Sequence, residues 1–253
     1  MRIWAIMIST SQEILRDKIL FTILGCGIVA IFCVKLIVPL SVGEEQRIIT
    51  DFGLSAISIF GILITIFIGT RLVYEEIKLK TIYTILSKPI RRWEFIMSKY
   101  LGIILSIVIV TAVLTGGFIV YLLIFKLPIN RSIFLSILLE LFELMIIASI
   151  TLVFSTFTNP IGSGIFTFAF YFIGHFTRDI LFFGYMTKIP VVKQLATVIY
   201  YIIPNLSYFN TRAEAVHNLP IFGEQLLFTI SYGLCYMIIF VCVASLILEG
   251  RDL

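Results

Sequence analysis

Charge is scarce in this chain. Asp, Glu, Lys and Arg make up 13% of its 253 residues, and there are only two histidines. Soluble domains carry about 25% charged residues, so an ordinary water-soluble fold is excluded. Enzyme signatures are missing as well. There is no G-x-x-x-x-G-K-[ST] loop to cradle nucleotide phosphates and no H-E-x-x-H zinc motif, and Gly162, Ser163 and Gly164 do not make the G-x-S-x-G elbow of a hydrolase. A serine protease pairing Ser163 with His175 fails on distance, because twelve residues along one helix separate them by about 18 Å. The four cysteines are Cys26 and Cys33, then Cys235 and Cys242, each pair seven residues apart. Two turns of helix is too far to chelate one ion, and thiols inside apolar runs pack as small hydrophobes. Neither a metal site nor a disulfide is expected, and no cofactor is called for within the chain.

What is abundant is long apolar sequence. Apolar residues make up 60% of the chain and the mean hydropathy is +1.08. A hydrocarbon layer about 30 Å thick needs roughly 20 apolar residues per helix. Six segments meet that length, at 19–40, 52–73, 100–125, 133–157, 161–183 and 226–248. They are too long and too uniformly apolar for barrel strands. The predicted fold is therefore an all-α integral membrane protein with six transmembrane helices, a single domain over 1–253 with no internal repeat.

The connections differ in length and character. Residues 1–18 mix Ile3, Trp4, Ile6, Met7, Ile14 and Leu15 with polar residues, which suits an interfacial helix in the headgroup plane. The first apolar run lacks a small-residue cleavage site, so it reads as a retained helix. Thr158, Asn159 and Pro160 form a tight turn between the fourth and fifth spans. Residues 184–225 contain Pro190, Pro204 and Pro220 around an apolar stretch at 191–203, which predicts one or two short helices at the outer surface. A seventh crossing there would need a tilted or extended helix.

Orientation follows from the basic residues near helix ends. Arg71, Lys78, Lys80, Lys88, Arg91, Arg92 and Lys99 crowd the second connection, whereas the first holds Glu44, Glu45, Asp51 and one arginine, Arg47. The second connection is expected in the cytoplasm, with both termini. Lys126 and Arg131 then fall on the outside against the rule.

Within that second connection, 74–99, Ile77, Ile82, Ile85 and Leu86 form an apolar stripe beside Glu75, Glu76, Lys78 and Lys80, before Pro89 ends the helix. A short amphipathic helix held between two spans can pass a push from a cytoplasmic partner into both. A merely solvated basic loop is the alternative. Inside the membrane, Glu140 and Glu143 lie on one face of the fourth span. Such groups need protein, water or a partner. They either line a translocation path or form ion pairs with Lys126, Arg131 or Lys35. His175, Arg178 and Asp179 suggest a local salt bridge one turn long. Gly25, Gly27, Gly162, Ser163 and Gly164 permit close helix approach, between subunits or within one.

The run from Gly69 to Gly102 resembles the signature region of the ABC-2 type permeases, the membrane subunits of ABC exporters. The matching positions are Gly69 and Thr70 ending the second span, Glu75 and Glu76 in a coupling helix, and Thr81, Leu86, Ser87, Lys88, Pro89, Arg91 and Arg92 in a basic turn. Phe95 and Lys99 then lead into the third span. The segment with Ile203, Pro204, Asn205, Leu206 and Phe209 is similar to the external part of small permeases of this type, such as the one serving nitrous oxide reductase maturation. The resemblance implies two membrane subunits, a homo- or heterodimer meeting through the first and fifth helices, in a prokaryotic inner membrane. It implies two copies of a separate ABC ATPase subunit that bind ATP and Mg and dock on the coupling segment, with outward movement or membrane extraction of a substrate. It implies no role for nucleic acid. A non-transporting membrane scaffold, or an intramembrane enzyme, would be the readings from other classes.

Overall fold

The computed structural model describes residues 2–36, 44–78, 92–187, 189–217, 219–220 and 222–250, and the side chains of Arg2 and of 73–78 are outside it. The helices in chain order are α1 (Arg2–Leu15), α2 (Lys18–Cys33, extended by the 3-10 turn Val34–Leu36), α3 (Glu45–Lys78), α4 (Arg92–Ile124) and α5 (Arg131–Phe157). They continue with α6 (Pro160–Met186), α7 (Pro190–Ile202), a 3-10 turn Leu206–Tyr208, α8 (Arg212–Val216) and α9 (Gly223–Glu249). Among the described residues, six helical segments are long and apolar enough to cross a membrane: Lys18–Leu36, Glu45–Leu72, Arg92–Ile124, Arg131–Phe157, Pro160–Met186 and Gly223–Glu249.

Local chemistry fixes the joints. Asp17 caps α2 by accepting the Ile19 N–H at 2.9 Å, which separates α2 from α1 at Arg16 and Asp17. Asn159 accepts the Gly162 N–H at 2.7 Å and Pro160 sits at the first helical position of α6, so the α5–α6 turn needs no longer loop. Lys126 closes α4 with φ of 54°. The Leu127 N–H bonds the Leu122 carbonyl at 2.9 Å and the Lys126 N–H that of Leu123 at 3.2 Å, the pairing of a Schellman stop.

The six spans alternate between two ends. At the terminal end, the start of α4 meets the close of α9, and the α1–α2 elbow faces Phe67, Ile68 and Arg71 of α3. At the distal end, Ser132 at the start of α5 donates to the Leu219 carbonyl just before α9. α1 packs across the first turns of α4, where Gly102 leaves room for Thr10 and the Met7 carbonyl, while Trp4 and Ile8 stay exposed. That placement gives the amphipathic N-terminal helix one protein face and one face for the membrane.

α3 and α5 run parallel through the centre. Gly61 faces Leu144, and Gly69 faces Thr151, so both helices advance together. Gly53 opens α3 to the fully buried ring of Phe118 on α4. In hydrocarbon there is no water to expel between helices, so close approach at small residues supplies the packing energy. The buried hydroxyls of Thr65, Ser106, Ser149, Thr151, Ser155 and Thr156 donate to carbonyls three or four residues earlier on their own helices, so they need no partner across the interfaces.

The two short helices expected after the fifth span are present, but the segment turns inward. α7 runs back along α6: Gly184 meets Ala196, and ten residues deeper Gly174 meets Leu206 and the Pro204 carbonyl. The Ser207 hydroxyl donates to the His175 carbonyl at 2.7 Å, which lies eleven residues below the end of α6, about 16 Å along its axis. Phe209 is buried against Gly233 of α9 and Ile146 of α5. The Asn205 N–H donates to the Tyr232 hydroxyl at 2.8 Å. α8 then carries the chain back toward the distal end. Since α7 and α9 both begin on that side, the stretch is no seventh crossing.

Gly53→Ala should destabilise the purified chain by about 1–3 kcal/mol, because the added methyl meets the fully buried Phe118 ring. Gly25→Ala, where nothing lies within 4 Å, should be neutral or slightly stabilising. Thermal denaturation of both in detergent checks this, and equal midpoints would refute the central packing.

Candidate functional site

The two glutamates of the fourth span sit at the centre of a polar cluster built from four elements. Glu143 is 1% exposed, and its Oε1 lies 2.8 Å from Nε2 of His175 on α6. Tyr171, one turn earlier on α6, stands edge-on to that imidazole with centroids 4.6 Å apart. Glu140 has the Ser58 hydroxyl of α3 as its hydrogen-bonding neighbour and Arg212 of α8 as its neighbouring cation, while its Oε1 is buried with no hydrogen-bond partner. Arg212 Nη1 donates to the Ser55 hydroxyl at 2.8 Å, which fixes the guanidinium against α3. Two acids, one imidazole and one guanidinium therefore share a region of low dielectric, where charge is tolerated only with partners at hand.

The partners differ from those the sequence offered. Lys35 lies over the Phe125 ring at 4.6 Å, Lys126 closes α4, and Arg131 opens α5. The answering groups are instead His175 and Arg212, brought in from α6 and the returning segment. The local His175–Asp179 pair also gives way: Asp179 is exposed, while a buried Glu143 without a partner would be costly, so the imidazole turns inward. Arg178 packs over Tyr208 at 4.9 Å. Sequence spacing could not reveal these pairings, although Gly174 beside His175 marks a close backbone approach.

Above the cluster, toward the distal end, is a cavity of about 640 Å³ bordered by Glu44, Arg47, Asp51, Asn210, Arg212 and His217. Arg212 thus belongs both to this vestibule and to the acid cluster.

At the terminal end, Glu75 and Glu76 fall in the last turns of α3. Lys80, Thr81, Leu86, Ser87, Lys88, Pro89 and Arg91 lie outside the described residues. Arg92 opens α4, and its Nη1 donates to the carbonyls of Leu248 at 2.8 Å and Glu249 at 3.1 Å. It caps the C-terminal carbonyls of α9 with a cation suited to the helix dipole. Among the small residues proposed for subunit contact, Gly27 packs against Leu114 and Phe60, Gly164 lies near Thr70 and Ile66, and the buried Ser163 reaches the Thr151 carbonyl at 3.4 Å. Gly162 serves the Asn159 cap, and Gly25 faces open space. All four cysteines are exposed on the outer faces of α2 and α9.

Among curated proteins no match is found. The family model described as ABC-2 family transporter protein matches residues 6–253, from α1 through α9 to the last residue. That match spans every element of the bundle, and the chain belongs to the ABC-2 family of transporter proteins.

Proposed function

We propose that this membrane-spanning permease subunit is driven by a separate ABC ATPase that docks on residues 74–99, and that it moves a substrate outward or extracts it from the membrane. Two ATPase subunits and a second permease subunit complete the complex, with ATP and Mg held by the ATPases. The terminal end, with Arg2, Arg16, Lys18, Arg71 and Lys78, then faces the cytoplasm of a prokaryotic cell and the vestibule opens outward. The similarity to the nitrous oxide reductase maturation type is carried here only by residues 203–209.

The observation that carries the reading is the geometry of the two helices that flank 79–91. α3 has 34 residues and α4 has 33, about 50 Å each against an apolar layer of about 30 Å. Arg92 ties the start of α4 to the close of α9. A force applied between α3 and α4 therefore reaches three spans together.

Affinity purification of the tagged chain from mild detergent should recover a P-loop ATPase. Recovery should be lost when 75–89 is replaced by a neutral linker, with Arg92 left intact so that the bundle is undisturbed. Equal recovery with both versions would overturn the docking assignment. The polar cluster makes a separate prediction. Glu143→Ala should lower stability by about 2–4 kcal/mol by stranding His175, and Glu143→Gln, which keeps an acceptor oxygen, should cost less. Glu140→Gln should leave stability within about 0.5 kcal/mol while changing the ATPase rate of the reconstituted complex. Thermal denaturation and ATP turnover separate the two roles, and matching profiles for Glu140→Gln and Glu143→Gln would refute the division.

A further inference from the structure

A second cleft, of about 300 Å³, lies between the inward-turning segment and α9. Asn210 borders both this cleft and the vestibule. Its walls are Leu139 of α5, Arg178 of α6, Tyr208 and Glu214 of the returning chain, and Leu226 and Phe228 of α9. Two of these side chains carry opposite charge without neutralising each other. Neither Arg178 nor Glu214 has an ion-pair partner among the described residues. The Arg178 guanidinium lies over the Tyr208 ring, 4.9 Å from its centroid, a contact that uses the π face and none of its five N–H donors. Glu214 Oε2 is buried with no hydrogen-bond partner, and so is Oγ1 of the adjacent lining residue Thr211. Tyr208 and Phe228 meet edge to face at 6.2 Å and, with Leu139 and Leu226, supply an apolar wall.

We propose that this cleft binds a small zwitterion with an apolar side chain, a free amino acid or a dipeptide. Its ammonium group donates to Glu214, its carboxylate accepts from Arg178, and its side chain packs on Tyr208, Phe228, Leu139 and Leu226. A plain anion would meet Glu214 and a plain cation would meet Arg178, so each is disfavoured by one like charge. The volume is at the lower limit of small-molecule pockets, which suits one or two residues.

The test is isothermal titration of the full chain in phosphatidylcholine nanodiscs, without any ATPase, so that its outcome is independent of the docking proposal. L-Leucine or glycyl-L-leucine should bind saturably, and the tighter of the two sets the preferred length. N-acetyl-L-leucine and L-leucinamide, each lacking one charge, should bind ten-fold or more weakly. In Glu214→Gln the acetylated ligand should bind as well as leucine, and in Arg178→Gln leucinamide should. Absence of saturable binding up to about 50 mM, or equal affinity for leucine and both blocked analogues on the unaltered chain, would overturn the proposal. Tighter binding of phosphoethanolamine than of leucine would also overturn it, because a lipid headgroup would then be the fitting occupant. The comparison on the unaltered chain holds even if a variant fails to fold.

Discussion

An acid placed within the hydrocarbon layer has to be answered by the protein, and the distal half of this bundle is arranged around that requirement. Glu143 is sealed from solvent, so its partner must come from a neighbouring helix. α6 supplies His175, and the same residue offers its backbone carbonyl to Ser207. One residue thus joins α5 through its side chain and the inward segment through its main chain. Arg212 completes the arrangement beside Glu140, carried there because the chain after Ser207 continues into α8. Without a deep return of residues 203–209, the guanidinium would have no route to α3.

Small residues make that return sterically feasible. Leu206 seats against Gly174, Ala196 against Gly184 and Phe209 against Gly233, three pits on α6 and α9 where a larger side chain would hold the segment away. The same device brings α3 to α5 and α4 at Gly61, Gly69 and Gly53. Hydrophobicity cannot order helices within a hydrocarbon solvent, so shape at glycine and the satisfaction of polar groups decide which neighbours meet.

The membrane class and the six spans were legible because roughly 20 apolar residues in a row have few other uses. The α5–α6 turn was legible too, since Asn159 and Pro160 form a local start signal. Depth was not. Residues 191–203 have the composition of an interfacial helix, and nothing in their periodicity distinguishes lying at the surface from packing along α6. The Glu143–His175 pair was hidden for a similar reason: i,i+4 reasoning finds Asp179 beside His175, while the desolvation cost that favours Glu143 emerges only in three dimensions. Arg92 was legible as part of the charged connection, while its bonds to the carbonyls at the end of α9, 156 and 157 residues away, have no local signal.

α3 spans the distance between the proposed docking region and the acid cluster. Its last turns carry Glu75 and Glu76, and about 30 Å away on the same continuous helix Ser55 and Ser58 receive Arg212 and Glu140. It also lies parallel to α5, the bearer of both glutamates, in contact from Gly61 to Gly69. A helix so closely packed shifts as a body more readily than it bends, since its side chains interlock with neighbours of crystalline density. Movement of its terminal end relative to α5 would therefore alter the register between Ser58 and Glu140, and with it the hold of Arg212 between the acids and the vestibule. The carboxylate whose Oε1 has no hydrogen-bond partner, Glu140, is the one that faces this helix. The more fully paired Glu143 faces α6, which anchors the inward segment. The two acids thus divide between a contact to α3 that leaves one carboxylate oxygen unpaired and a closed pair with α6.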